Sequence, residues 1–190
     1  MIAVYVILAP GTMGAELALA TKGGETLLAH HVQAAQLARL AGPLCVISES
    51  EAELKTVHEG FPLEWLHDRL SAPTAWSATR VGLAAVPPGN AALLTPVDAL
   101  PPRIDTFDLL AEALEHLPEK QIGLRPRMRG KDTFPVILLP QAVSEILAGR
   151  EDGNLKEWLA RASTDGRLLS VDVDDDNVLS GELKGPDMSA

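Results

Sequence analysis

Two short stretches of this 190-residue sequence carry residue types suited to phosphate and metal chemistry. The first is Pro10-Gly11-Thr12-Met13-Gly14, which follows the aliphatic run "VILA" and leads into a helix-like segment that opens "AEL". Glycines at such a place allow positive φ and close backbone approach, and the amides that open the following helix cradle phosphate oxygens. The stretch holds no Lys or Arg and matches neither the dinucleotide fingerprint nor the lysine-containing phosphate loop, so by itself it better describes an ordinary strand-to-helix turn. The second is Asp98 in "LLTPVDALPP", directly after an apolar run. A carboxylate at the C-terminal end of a strand is placed to hold a divalent cation that bridges phosphate oxygens, although one carboxylate needs a second anchor or the substrate's own phosphates to complete a Mg2+ site. A turn or cap before Pro101-Pro102 accounts for the same residue equally well.

Other reactive side chains weigh less. Arg125, Arg127, Arg129 and Lys131 form the densest basic run, "RPRMRGKD", which reads as a loop near the ligand end of the sheet. It offers phosphate contacts, or else a solvated or partner-docking cationic surface. Asp172, Asp174, Asp175 and Asp176 lack the spacing of a calcium loop and read as a hydrated acidic turn. His30 and His31 are consecutive in a helical pattern, so at most one faces inward and a metal pair is not expected. Ser77 shows no paired base, which favours a helix N-terminal role over nucleophilic attack. Cys45, the only cysteine, lies in "PLCVIS" and reads as a buried inert thiol. Trp65, Trp76 and Trp158 read as core or interface anchors.

Positioning these residues requires a buried sheet. The runs Ile2–Leu8, Pro43–Ser48, Ala91–Val97 and Pro135–Leu139 are short, apolar and bounded by Pro, Gly or Ser, as expected of strands buried on both faces of a parallel sheet. Between them lie helical patterns. "ETLLAHHVQAAQLARLAG" aligns Leu28, His31, Val32, Ala35 and Ala38, places Leu37 and Leu40 off that stripe, as in a helix buried on more than one side, and closes at Gly42. "SESEAELKTVHEG", "SAPTAWSATRVGLAAV", "DTFDLLAEALEHL", "QAVSEILAG" and "NLKEWLARAS" supply further helices. The alternation predicts one doubly wound α/β domain over residues 1–190, with helices on both faces of a mostly parallel sheet and the last few residues mobile. Ligands of such folds sit beyond the C-terminal ends of the strands, so the loops after Leu8, after Val97 and around Arg125–Pro135 matter most.

Composition narrows the function classes. Apolar residues make up 46% and aromatic residues 4%, so burial rests on Leu, Ala and Val. With 16 basic against 26 acidic residues the net charge is −10, which opposes nonspecific nucleic-acid binding. No apolar stretch approaches the ~20 residues of a membrane span. The N-terminal run has no basic leader and reads as a strand, and a lone cysteine suits a reducing cytoplasm.

Taken in order, these stretches resemble the molybdenum-cofactor nucleotidyltransferases, which couple CTP or GTP to molybdopterin, and the wider sugar-phosphate nucleotidyltransferases. The family opens L-A-A-G-x-S-x-R-M-G-x-x-K, followed by G-x-x-L-L; here the chain reads "LAPG", "TMGAEL" and then "GETLL". "WSATRVGLAA" resembles the S-x-x-x-G-L helix through Ser77, Gly82 and Leu83, and "PVDALPP" the D-M-P metal loop. "DTFPVILLPQAVSEILAG" resembles G-H-P-v-l with its helix, and "EDGNLKEWLA" the G-D-x-G-x-R segment. The resemblance implies a Rossmann-like nucleotidyltransferase fold, a nucleotide site at Pro10, Gly11, Thr12, Met13, Gly14 and Ser77, and Mg2+ on Asp98.

The departures concentrate in that site. The signature loop is shortened and lacks the family's Arg, the family's Lys falls on Leu17, and G-H-P becomes Thr133-Phe134-Pro135. Lys184 falls where an acidic metal ligand is expected. The missing cations are those that neutralise the triphosphate and the departing pyrophosphate. The resemblance therefore implies a degenerate member that binds a ligand or docks a protein partner, or a second copy through Trp158 or the "DLLAEALEHL" helix, without turnover. The alternative is a divergent Mg2+-dependent nucleotidyltransferase whose cations come from Arg125, Arg127 and Arg129.

Overall fold

A computed structural model describes residues 3–48, 53–150 and 152–179. In chain order the elements are β1 (Ala3–Ala9), α1 (Gly11–Leu19), β2 (Thr21–Lys22), β3 (Glu25–Thr26), α2 (Leu27–Leu37), β4 (Ala41–Ser48), α3 (Glu53–Val57), β5 (Glu64–Asp68), α4 (Ala75–Ala84) and β6 (Ala91–Pro96). There follow α5 (Ile104–Glu115), β7 (Gly123–Met128), β8 (Lys131–Asp132), β9 (Val136–Leu138), α6 (Pro140–Ala148), α7 (Leu155–Thr164) and β10 (Leu168–Asp172), with a closing 3-10 turn at Asp176–Leu179.

The main sheet runs β10-β7-β9-β6-β1-β4-β5, and β8 pairs with β7. β1 lies at its centre, parallel to β4 and β6, and every one of its residues from Val4 to Ala9 is buried. Its side chains alternate between two cores, as the period of two in a strand requires. Val4, Val6 and Leu8 pack with Ala78 and Leu83 of α4, Ile146 of α6 and Leu159 of α7. Tyr5, Ile7 and Ala9 pack with Ala15 and Ala18 of α1, Leu28 and Ala35 of α2, and Phe107 and Leu110 of α5. The arrangement is the doubly wound, mostly parallel α/β sheet with helices on both faces. Among the described residues no helix is long and apolar enough to cross a membrane.

Several details differ from the pattern reading, each for a local reason. The Pro135–Leu139 run forms a strand, but β9 is antiparallel to both β6 and β7. Complete burial on both faces makes an apolar run blind to strand direction. α2 ends at Leu37 rather than at Gly42, which sits in β4 with φ +94° beside the Tyr5 carbonyl. Leu37 is 73% exposed, so α2 is not buried on more than one side. β5, β7 and β10 interrupt their apolar residues with Glu64, His67, Arg125, Arg127 and Ser170 and do not stand out as apolar runs. The expected mobility of the last residues, and the whole Lys184 segment, fall outside the described residues.

Candidate functional site

The C-terminal ends of β1 and β6 and the N-terminal ends of α1 and α4 enclose a cavity of about 250 Å³. Its walls are Leu8 and the Pro10–Gly14 stretch on one side, Pro73-Thr74-Ala75 on another, and Pro96-Val97-Asp98 at the base, with Leu17 reaching in from α1. The residues Pro10, Gly11, Thr12, Met13, Gly14 and Asp98 are thus together. Among the described residues, the lining contains no Lys and no Arg.

Helix α1 begins here for reasons visible in its glycines. Gly11 takes φ +68°, a conformation that favours glycine, as the chain leaves β1. A Cβ on Gly14 would stand 2.3 Å from the Ala9 carbonyl carbon, so only glycine lets the helix begin this close to the strand end. Gly14 N–H closes the first helical bond on the Pro10 carbonyl at 3.3 Å. The cap residue Pro10 supplies no side-chain bond and the first turn holds no acidic residue. The amides that open α1 are the ones a helix leaves without internal partners, and the helix dipole makes that end electropositive.

Asp98 sits in a β-turn closed by Ala99 N–H donating to the Pro96 carbonyl at 3.1 Å, which makes it the third residue of the turn. The turn is tied to β1 by Val97 N–H donating to the Leu8 carbonyl at 2.9 Å. From the opposite side the His31 ring reaches it, with Nε2 3.2 Å from the Val97 carbonyl and Nδ1 2.7 Å from the Tyr5 hydroxyl. A carbonyl only accepts, so Nε2 carries the proton and Tyr5 donates to Nδ1. His31 is completely buried. Burial lowers its pKa to about 4, against the opposing pull of the Val97 and Ala99 carbonyls and with a further small push from His30, so the ring is neutral at ordinary pH. His30 points outward and meets the Lys22 carbonyl, as two consecutive helical residues must diverge. The pattern reading gave His31 no part in the site; the signal present was one inward-facing histidine on α2.

Ser77 does not line this cavity. Its hydroxyl donates to Asp68 Oδ2 at 2.5 Å and accepts from Thr74 N–H at 2.8 Å, completing a capping box at the start of α4. Thr74, from the same box, does face the cavity.

The basic run is a strand and hairpin rather than a loop. Arg125 and Arg127 lie on β7, and both guanidinium groups close on Asp132 of β8, at 2.5 and 2.8 Å. Arg125 also donates to Ser163 and Arg127 to Ser170, while Arg129 pairs with Asp176 at the surface. Partial burial of Asp132 works against its ionisation, but the bonds from Arg127 and Ser170 and the two positive charges prevail and hold its carboxyl below the usual range. β7 is a strand despite its arginines because Gly123, Leu124, Pro126 and Met128 are buried while the cations find partners on β8, α7 and β10.

The acidic stretch also differs from a hydrated turn. Asp175 is 1% exposed and accepts from Arg103 N–H, Thr106 Oγ1 and Asn177 N–H, which fastens the segment after β10 to the start of α5. Trp76 is buried, its indole donating to the Arg150 carbonyl, and Trp65 and Trp158 pack partly buried against the two cores. Among the described residues no group of three or more His, Cys, Asp or Glu is placed to hold a metal.

Similar structures share the architecture. Rv0371C from Mycobacterium tuberculosis H37Rv, solved as a complex with manganese, superposes with a TM-score of 0.72 at 15% identity, covering 92% of this chain and 89% of its own. A nucleotidyl transferase from Methanothermobacter gives 0.71 at 19% identity, covering 91% and 88%. The CMP:2-keto-3-deoxy-manno-octonic acid synthetase complexed with CTP gives 0.71 at 12% identity, covering 92% and 91%. At such identities the likeness is one of fold. No curated protein sequence matches significantly. The sequence itself matches the MobA-like NTP transferase domain over residues 6–166, a span that runs from within β1 through the glycine stretch and the Asp98 turn to the end of α7. By that match the chain belongs to the family of MobA-like NTP transferase domains.

Proposed function

We propose that this protein binds a nucleoside triphosphate, CTP or GTP, together with a divalent cation in the Asp98 cavity, and holds it without transferring the nucleotidyl group. The observation that carries this reading is the cavity's composition: a helix start with open amides and one carboxylate, with no basic side chain among its described lining residues. The amides opening α1 suit phosphate oxygens, and Pro73-Thr74-Ala75 form the facing wall. Departure of pyrophosphate concentrates negative charge that this family's enzymes meet with cations. Leu17, which reaches into the cavity from α1, offers none.

The donor set fits a divalent cation in one way. A single carboxylate supplies one anchor, and Mg2+ takes its remaining oxygens from water and the ligand's phosphates. Asp98 would hold such an ion, which when bound would screen and orient the phosphates. A fold neighbour solved with manganese and another solved with CTP support this pairing of ligands. The product of such a site is a ligand-loaded surface, suited to docking a protein partner or a second copy. The buried thiol of Cys45, with no disulfide among the described residues, fits the cytoplasm.

Calorimetric titration with CTP, GTP, ATP and UTP, with and without Mg2+, tests the reading beside an assay for pyrophosphate release. Mg2+-dependent micromolar binding that Asp98→Asn weakens, with no pyrophosphate released, is the expected result. No binding to any nucleotide would overturn the ligand assignment. Sustained release of pyrophosphate would establish the second reading, a divergent metal-dependent nucleotidyltransferase acting on a small phosphorylated acceptor such as molybdopterin. That reading draws on Asp98 standing at the end of β6 beside the open helix start.

A further inference from the structure

The turn that carries Asp98 has one peptide its own closing bond does not restrain. In a β-turn the outer residues are joined by the closing hydrogen bond, while the central peptide is free to flip, and that flip separates type I from type II. Here the central peptide joins Val97 to Asp98, and its carbonyl is the one His31 contacts. A flip would swing the Val97 oxygen away from the ring and rotate the backbone from which the Asp98 side chain projects.

We infer that His31 is a positioning residue for Asp98: its Nε2–H locks the central peptide of the Pro96–Ala99 turn and so sets the direction in which the carboxylate enters the cavity. The inference rests on the reading of Asp98 as the cation's anchor. Four observations carry it. His31 comes from α2, distant in sequence from the turn, so the bond ties together two separate elements of the fold. Val97 is 2% exposed, so its carbonyl has little access to water if the ring is removed, and an unmet buried carbonyl is costly. Tyr5 occupies the second ring nitrogen and thereby fixes both the tautomer and the ring plane. Val97 N–H is independently tied to Leu8, so the bond from His31 acts on the carbonyl side of Val97, the side that orients the central peptide.

The test combines amide hydrogen exchange with titration of Mn2+–CTP on the full chain carrying His31→Phe or His31→Gln. Phe fills the space without a donor, whereas the Gln amide nitrogen reaches the position of Nε2. If His31 acts as inferred, His31→Phe accelerates exchange at Val97 and Ala99 about tenfold beyond any change at Val46 and Leu94 in the sheet, and weakens Mn2+–CTP binding about tenfold, the scale of one lost buried hydrogen bond. His31→Gln restores both to near the parent protein. Equal acceleration at all four amides, or a Gln variant no better than Phe, would show a merely structural histidine and overturn the inference. Should His31→Phe fail to fold, His31→Met serves as the donor-free variant with the same two readouts. If the parent protein itself does not bind Mn2+–CTP, the ligand reading fails, and the exchange pattern alone then decides whether His31 holds the turn.

Discussion

The centre of the sheet and its β7–β8–β10 side handle charge in opposite ways. At the β1–β6 cavity one carboxylate and a helix start face a common space, and no described lining residue is basic. At the β7–β8–β10 edge the arginines are dense, yet Asp132 takes both Arg125 and Arg127, and Ser163 and Ser170 occupy further donors. A count of cations places the phosphate site at the second region, whereas the geometry spends those cations on joining strands. A guanidinium already sharing a carboxylate must give up that bond to meet a phosphate, and a partly buried broken pair is unfavourable. What makes a cation useful to a ligand is an unsatisfied direction into a cavity, not its presence in the chain.

The comparison breaks most sharply at the cavity's own foundation. Gly14→Ala forces a Cβ against the Ala9 backbone, where neither α1 nor β1 can yield without disturbing both cores. Overpacking of this kind costs up to about 3 kcal/mol, and the loss should be read in urea unfolding. A comparable effect comes from pH alone. The unfolded chain protonates His31 near 6.5, but the folded chain refuses the proton until about pH 4. Stability therefore falls as pH drops through that window, by about 3 kcal/mol in total, and His31→Gln should flatten this segment of a stability-against-pH curve. Asp132 adds a separate loss at lower pH. Its carboxyl is depressed in the fold, so its contribution is present above the usual carboxylate pKa and disappears as pH falls through the folded value.

Smaller effects sharpen the contrast. Asp132→Asn should lower stability by about 2 kcal/mol, because it leaves two arginines short of a partner, while nucleotide affinity changes less than twofold. A large drop in affinity with stability intact would instead join the arginine edge to the ligand site. Leu17→Lys does the reverse, placing a cation on the wall of the cavity. It should tighten triphosphate binding about tenfold at low salt, and an increase that vanishes at high salt would confirm its electrostatic origin. Arg129→Ala, which removes an exposed pair with Asp176, should change stability by less than about 0.5 kcal/mol.

Much of the scaffold was legible before any coordinates. Four aliphatic runs located β1, β4, β6 and β9, and the helical patterns located α1 to α7, because burial on both faces and a period near 3.6 leave marks in the order of residues. The positions of the glycine stretch and of Asp98 just beyond β1 and β6 were legible for a related reason: turn-forming residues after an apolar run mark where a strand stops. Other features were decided only by tertiary structure. The antiparallel setting of β9 leaves no trace in three buried aliphatic residues. The arginines of β7 look like a ligand loop until Asp132, Ser163 and Ser170 arrive from other elements. Asp175 looks solvated until Arg103 and Thr106 close over it. The place of His31 at the Asp98 turn depends on α2 lying over the sheet so that the ring spans from Tyr5 of β1 to the Val97 carbonyl, since a hydrogen bond's meaning is set by where its partner lies and not by where it falls in the chain.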